Sequence, residues 1–176
     1  MILRRASIAV GLVVLFTFGP GTPARAAAPP AGTPCTFEID VVAAPGLATK
    51  PSSGSLRSNG QSGTITCTGS VNGSPASGAG RMGFSGRYGT GPGGDTCQAG
   101  GGGDGVDTIT VPTAAGPRTV IAHVVYTYGA VKGGGVTTGK FTGDRFSGTF
   151  DIKPTAGDCV TRPVTGAHLS GSGTLH

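Results

Sequence analysis

One short segment of the chain has the composition of a calcium-binding repeat. The sequence of residues 102–110 is GGDGVDTIT, which fits the nonapeptide G-G-x-G-x-D-x-U-x at every specified position. Proteins with this motif stack several copies and so bury a continuous core. This chain has one copy, since the following residues contain Pro112 and Pro117. In a chain with 35 glycines a single match arises easily by chance. We therefore expect a flexible loop that enters a strand, and no metal site.

Several carboxylates could do chemistry if folding brought them together. Asp95, Asp104 and Asp107 could surround a hard cation, because calcium takes six to eight oxygen ligands. Nothing in their spacing requires this, and solvated loop positions are the favoured interpretation. Glu38 and Asp40 lie on the same face of a predicted strand. Paired carboxylates can divide acid and base roles, but a solvent-facing strand face is the favoured interpretation here as well.

Three basic side chains are weak candidates for ligand contact. His123 is the one histidine within a strongly apolar strand, and as a general base it would need a carboxylate or hydroxyl partner. The chain has no Gly-x-Ser-x-Gly elbow and no His-Glu-x-x-His pair, so we expect His123 to fill or rim the fold. Arg81 and Arg87 share one strand face, which would suit an anion or a partner. We predict no catalytic residue and no cofactor.

The four cysteines favour a disulfide framework. Cys35, Cys67, Cys97 and Cys159 are an even number in a chain that we expect to be exported. Three connectivities are possible, and we favour Cys35–Cys67 with Cys97–Cys159. The first two occupy the apolar phase of alternating strands, and the other two follow a Gly-Asp or an Asp-Thr step. Zinc is the competing interpretation, but the chain has no C-x-x-C pair and only three histidines.

The first 26 residues have the pattern of a secretory signal peptide. Arg4 and Arg5 precede the apolar run of residues 6–18, and an A-x-A site follows at residues 24–26. The apolar run is short for a membrane span, and no later run reaches 18 residues. We expect a secreted, extracellular protein without a membrane anchor. Residues 27–34 then form a flexible Pro/Ala-rich leader, and residues 35–176 a single domain.

The charge balance gives no support for a nucleic-acid partner. The chain has 13 Lys and Arg against 8 Asp and Glu. Three of the arginines leave with the signal peptide, so that 10 basic residues remain and the net charge falls to +2. Nucleic-acid binding requires a concentrated basic stripe, and none is evident. A ligand or an extracellular protein remains a possible partner.

Alternating hydrophobicity predicts an all-β fold. Cys35, Phe37, Ile39 and Val41 alternate with polar residues, and similar patterns occur in segments 63–71, 80–88, 106–111 and 167–175. Segment 119–128 is apolar on both sides and is predicted to be covered on both faces. Residues 89–105 are predicted to be a glycine-dense loop. About eight short strands favour an antiparallel β-barrel, since closure removes exposed edges. A β-sandwich is the alternative, weakened by the absence of Trp.

The clearest local prediction is a hairpin over residues 136–152. Gly143-Asp144 is a two-residue loop with glycine first, which is typical of a type II′ turn. This loop pairs Phe141 with Phe146, Gly139 with Gly148 and Thr137 with Phe150. One face of the hairpin is then aromatic and the other polar, as expected for a half-buried pair of strands.

The C-terminal part of the chain resembles a group of small secreted proteins. Residues 146–150 (FSGTF), 157–161 (GDCVT), 163–165 (PVT) and 171–175 (GSGTL) carry this resemblance, over roughly residues 140–176. The group consists of uncharacterised actinobacterial proteins that are expected to form β-barrels. The resemblance implies an extracellular barrel, a structural role for Cys159 and a high-GC Gram-positive host. It implies no catalytic residues.

These observations favour a secreted, non-enzymatic β-barrel that binds a ligand or a protein partner. One alternative is a secreted enzyme on the same scaffold that uses His123 with an Asp or Tyr partner. Another is an inhibitor or toxin-like interaction protein that makes contact through loop 89–105. A cavity lined by His123 and a carboxylate would favour the enzyme, and an apolar cavity would favour a small ligand. A filled barrel with a protruding loop would favour protein recognition.

Overall fold

The computed structural model describes residues 32–71, 73–130, 134–140 and 145–175. For residues 134–140, 145 and 146 the description is limited to the backbone. The described residues form strands and turns, and no helix among them could cross a membrane. The strands are β1 (Thr33–Leu47), β2 (Gly54–Arg57), β3 (Gly63–Cys67), β4 (Ser70–Val71), β5 (Ser74–Pro75), β6 (Ala79–Tyr88), β7 (Gly101–Val111), β8 (Arg118–Tyr128), β9 (Gly134–Lys140), β10 (Arg145–Ala156) and β11 (Val164–Leu175).

The main sheet closes on itself as an antiparallel barrel. Strands β6 to β11 pair in chain order, and β1 pairs with β11 to complete the ring. Strands β2 and β3 share one position, because both lie between β1 and β6, one pairing near each end. The ring therefore has eight positions, which confirms the predicted barrel. The short β4–β5 hairpin lies outside the main sheet.

Side-chain alternation places the apolar core inside the ring. On β1 the side chains of Cys35, Phe37, Ile39 and Val41 are buried, and the residues between them are exposed. The same period of two operates on β8, where Ala122, Val124, Tyr126 and Tyr128 are buried. Successive strand residues point to opposite faces, so each strand contributes every second residue to the interior. The predicted core phase of β1 is confirmed.

Glycines on the strands make room for the interior aromatic rings. Gly171 of β11 pairs with Phe37 on one side and with Phe150 on the other. A Cβ atom at position 171 would lie 2.7 Å from Cζ of Phe37. Gly103 of β7 likewise pairs with both Tyr88 and Tyr126. In a barrel this small, a glycine on the neighbouring strand leaves space for a large ring.

Both predicted disulfides are present. Cys35 and Cys67 are paired residues on β1 and β3, and their sulfur atoms are bonded. Cys97, in the loop after β6, is bonded to Cys159, in the loop after β10. The first bridge joins two strands that already pair, and the second joins two loops. Disulfides of this kind are typical of proteins that fold in an oxidising compartment.

Two predictions about individual strands are wrong. Strand β7 begins at Gly101, so the second part of the predicted loop 89–105 is a paired strand. Strand β8 is not covered on both faces, because Ile121 and Val125 are 59% and 60% exposed. Only the alternate residues of β8, from Ala122 to Tyr128, belong to the core.

The predicted hairpin register is also wrong, by two residues. Lys140 pairs with Arg145, Gly139 with Phe146 and Thr137 with Gly148. The predicted turn at Gly143-Asp144 and the predicted pair of Phe141 lie outside the described residues. A shift of two residues keeps every side chain on the same face. The hydrophobic pattern alone therefore could not distinguish this register from the predicted one.

Candidate ligand-binding cavity

The structure places His123 on the outside of the barrel. Its neighbours Ala122 and Val124 are buried, and the His123 side chain itself is exposed. In the sheet His123 lies between Val106 of β7 and Lys140 of β9. The prediction that His123 fills or rims the barrel interior is therefore wrong. The apolar residues Ile121 and Val125 lie on the same outward phase as His123, and they led us to predict a second buried face on this strand.

Arg81 and Arg87 are exposed on the outer face of β6, as their shared phase predicts. The Arg87 guanidinium lies 3.3 Å from a carboxylate oxygen of Asp104 on β7. Both side chains of this ion pair are largely exposed. An exposed ion pair contributes about 0–1 kcal/mol to stability. Arg87 is therefore paired with an acid of the same chain, and both arginines lie on the surface, outside the barrel interior.

The calcium motif lies within strand β7, which separates its two aspartates. Asp104 points outward to Arg87, and Asp107 points into the barrel. Asp95 lies in the preceding loop, where it accepts hydrogen bonds from the Tyr128 hydroxyl and the Gly102 amide. Among the described residues, no three His, Cys, Asp or Glu side chains gather at a possible metal site. The prediction of solvated loop positions is wrong for Asp95 and Asp107, which are buried.

The other predicted carboxylate pair is on the surface. Glu38 and Asp40 are both exposed on the outer face of β1, which confirms the favoured interpretation. Asp40 lies 2.8 Å from Nδ1 of His168 on the paired strand β11. This contact joins the two strands at the closure of the barrel. It lies on the opposite side of the wall from the interior.

The barrel interior contains a cavity of about 100 Å³. Its lining comes from β1, β2, β3, β6, β7, β8, β10 and β11, and most of it is aliphatic or aromatic. Phe37, Met82, Phe84, Phe150 and Leu169 are among the lining residues. An eight-stranded barrel is just wide enough to be filled by side chains or to hold one small ligand. This barrel is not completely filled.

Asp107 is the acidic residue of the cavity lining. The residue is 7% exposed, and it lies on β7 between Phe84 of β6 and Ala122 of β8. No hydrogen bond joins its carboxyl group to any group that the structure describes. Burial raises the pKa of Asp107 to about 7. An acid in such surroundings can exchange its proton near neutral pH.

The tyrosines of the barrel have their hydroxyl groups occupied. Tyr126 and Tyr128 line the cavity, and burial raises the pKa of both phenols. The Tyr126 hydroxyl donates to the Arg87 carbonyl at 2.7 Å, and that of Tyr128 donates to Asp95 at 2.9 Å. Tyr88 donates to the Pro45 carbonyl at 2.5 Å. These bonds tie the tyrosine-rich end of the barrel to β1, β6 and the loop that holds Asp95, and leave the rings facing inward.

Loop 89–100 is held against the barrel over much of its length. Asp95 and Ser52 exchange backbone hydrogen bonds, and the Cys97 amide donates to the Ala48 carbonyl. Cys97 is buried and bonded to Cys159. Residues 91–94 form the exposed tip. The predicted contact loop is therefore a pinned segment with a short exposed turn.

Sequence reasoning named Asp107 but missed its inward position, although a signal for that position was present. Asp107, Ile109 and Val111 share one phase of β7, and all three are buried. The apolar residues of that phase indicate which face is inward, and the aspartate belongs to it. Asp107 already lay within the predicted strand 106–111, but it was grouped with Asp95 and Asp104 as a solvated loop position, so this signal was not used.

Comparisons with known proteins add no function to this geometry. No family model matches the chain, and neither a curated protein nor a solved structure matches it. The barrel interior and its one described acid are therefore the features from which a function can be inferred.

Proposed function

We propose that this protein is a secreted, non-enzymatic binding protein whose barrel holds one small, mainly apolar ligand. The observation that carries the proposal is the cavity of about 100 Å³ inside an eight-position barrel. Ligand sites are mostly apolar cavities with a few polar groups that fix orientation. A cavity of about 150 Å³ lined by apolar side chains can bind one benzene molecule. The cavity here is smaller than that, so the expected ligand is no larger than about one ring.

The extracellular location is supported by the sequence and by the disulfides. Residues 1–26 have the pattern of a signal peptide. The resemblance of the C-terminal segment to secreted actinobacterial proteins points the same way. All four cysteines are paired, which suits export to an oxidising environment.

The cavity favours ligand binding over the two alternatives. The enzyme alternative requires His123 inside, whereas its side chain is exposed on the outer wall. The interaction alternative is favoured by a filled barrel with a protruding loop. Here the barrel is incompletely filled, and loop 89–100 is pinned by Asp95 and Cys97.

A matched pair of substitutions tests the proposal. Val124 lines the cavity, whereas its neighbour Val125 is exposed on the outer wall. We expect toluene to raise the melting temperature of the wild type and of Val125→Phe by the same amount. Val124→Phe places a ring in the cavity and should abolish this shift. Toluene binding to the folded variants is then measured by NMR titration.

The same experiment can refute the proposal. If neither toluene nor a similar single-ring compound binds the wild-type protein, the cavity is not a ligand site. Undiminished binding to folded Val124→Phe would place the ligand elsewhere. Ala167→Val offers a smaller filling of the same cavity should Val124→Phe fail to fold, since Ala167 also lines it.

A further inference from the structure

The cavity has one polar group without a partner among the described residues. Asp107 lines it on the inward phase of β7, and its carboxyl group, which is not fully buried, has no hydrogen bond to any described group. The hydroxyls of Tyr126 and Tyr128 are engaged with Arg87 and Asp95. No lysine, arginine or histidine is among the lining residues that the structure describes. A negative charge at Asp107 is therefore not balanced by a described basic side chain of the interior.

We propose that the ligand is a small organic amine, bound with its ammonium group at Asp107 and its apolar body in the rest of the cavity. This inference rests on the proposed function and names the chemical class of its ligand. An isolated buried carboxylate is costly unless it is paired and hydrogen-bonded. An ammonium group supplies both the opposite charge and N–H donors, and charge-assisted hydrogen bonds are among the stronger ones.

The surroundings of Asp107 also suit a cation. Phe84 is its paired neighbour on β6, and the Phe84 ring meets Tyr126 edge to face with centroids 5.9 Å apart. An ammonium group within about 6 Å of an aromatic face gains additional electrostatic attraction. A carboxylate ligand would instead meet the like charge of Asp107. A purely apolar ligand would fill the cavity but leave the carboxyl group without a partner.

Binding of an amine should depend on pH. Burial raises the pKa of Asp107 to about 7, whereas an alkylammonium group resembles lysine, with a pKa of about 10.4. The other titratable groups of the described lining are Tyr126 and Tyr128, which remain neutral because burial raises the pKa of both. Amine affinity should therefore rise between pH 5.5 and pH 8 as Asp107 ionises. Toluene affinity should not rise over this range.

The test compares benzylamine with toluene on the purified protein by NMR or calorimetric titration. At pH 8 we expect benzylamine to bind wild type about 10- to 100-fold more tightly than toluene. Asp107→Asn should lose this preference and keep toluene binding. The control is Asp104→Asn, which removes an acid of the same strand on the outer face. It should keep the preference for benzylamine.

Each remaining outcome separates this inference from the proposed function. If toluene binds and benzylamine binds no better, the amine inference is wrong and the apolar site stands. A preference that persists in Asp107→Asn would also overturn it, since the ammonium group would then be held elsewhere. Should neither compound bind, the proposed function fails together with the inference. Asp107→Ser serves as a second variant in case Asp107→Asn does not fold.

Discussion

Asp107 places a carboxyl group among apolar side chains, and its protonation should affect the stability of the fold. The ordinary pKa of this group is 3.8, and burial raises it to about 7 in the folded protein. Between these values the folded state holds a proton that the unfolded chain releases. The contribution of Asp107 to stability should therefore fall as pH rises from about 4 to about 7, by on the order of 4 kcal/mol.

Asp107→Asn should remove this contribution to the pH dependence. The free energy of unfolding of the wild type minus that of Asp107→Asn should decrease as pH rises from 4 to 7 and then level off. Urea denaturation at pH 4, 5.5, 7 and 8.5 measures the difference. Contributions of the other acids cancel in the subtraction. Parallel pH profiles of the two proteins would show that Asp107 keeps its ordinary pKa after folding.

At the level of elements, strand β7 shows how a glycine run can pair as a strand. Residues 101–105 are GGGDG, which sequence reasoning placed in a loop. In the barrel the rings of Phe84 and Tyr126 cover Gly105 and Gly103 from the neighbouring strands. The missing side chains are thus replaced by aromatic rings of β6 and β8. Such cover comes from tertiary packing, so local sequence pattern could not show it.

The same packing makes Gly171 sensitive to substitution. A Cβ atom there would meet the Thr149 carbonyl and would lie 2.7 Å from Cζ of Phe37. Gly171→Ala should lower the free energy of unfolding by about 1–3 kcal/mol through overpacking. Gly91→Ala is the control, because nothing lies within 4 Å of a Cβ atom at that exposed turn. Urea denaturation of both variants measures the effect, and equal stability would refute the predicted overpacking.

For the whole molecule, the two disulfides compensate for a composition poor in large side chains. The chain has 35 glycines, seven phenylalanines and no tryptophan. Replacing either cysteine pair with alanine should lower stability by about 2–4 kcal/mol, mainly because the unfolded chain becomes less restricted. Denaturation of the Cys35→Ala/Cys67→Ala and Cys97→Ala/Cys159→Ala variants measures this loss.

The two variants should differ in where the structure loosens. Cys35 and Cys67 lie on strands that also pair through their backbones, so hydrogen exchange there should stay slow. Cys97 holds loop 89–100 to the loop after β10. Its removal should therefore speed amide exchange in residues 89–100. An unchanged exchange rate there would mean that Asp95 and the Ser52 bonds hold the loop without the disulfide.

Much of the barrel was predictable from the sequence, because period-two alternation depends on local chemistry. The inward phase of β1 and both disulfide pairs were correct. The register of β9 and β10 was not, since a shift of two residues leaves the faces unchanged. The cavity could not be predicted from the sequence either. An unfilled volume depends on how the side chains of eight ring positions meet, which no single strand reveals.

The pairing of the first strand with the last has a consequence for biosynthesis. Thr33 pairs with Leu175 and Phe37 with Gly171, so the seam joins a chain segment that is synthesised early with one that is synthesised much later. Until β11 emerges, that edge of β1 has no partner, and an unpaired strand edge invites aggregation. Glu38 and Asp40 place two negative charges on the outer face of β1. These charges disfavour pairing of β1 with a strand of another chain before β11 is available.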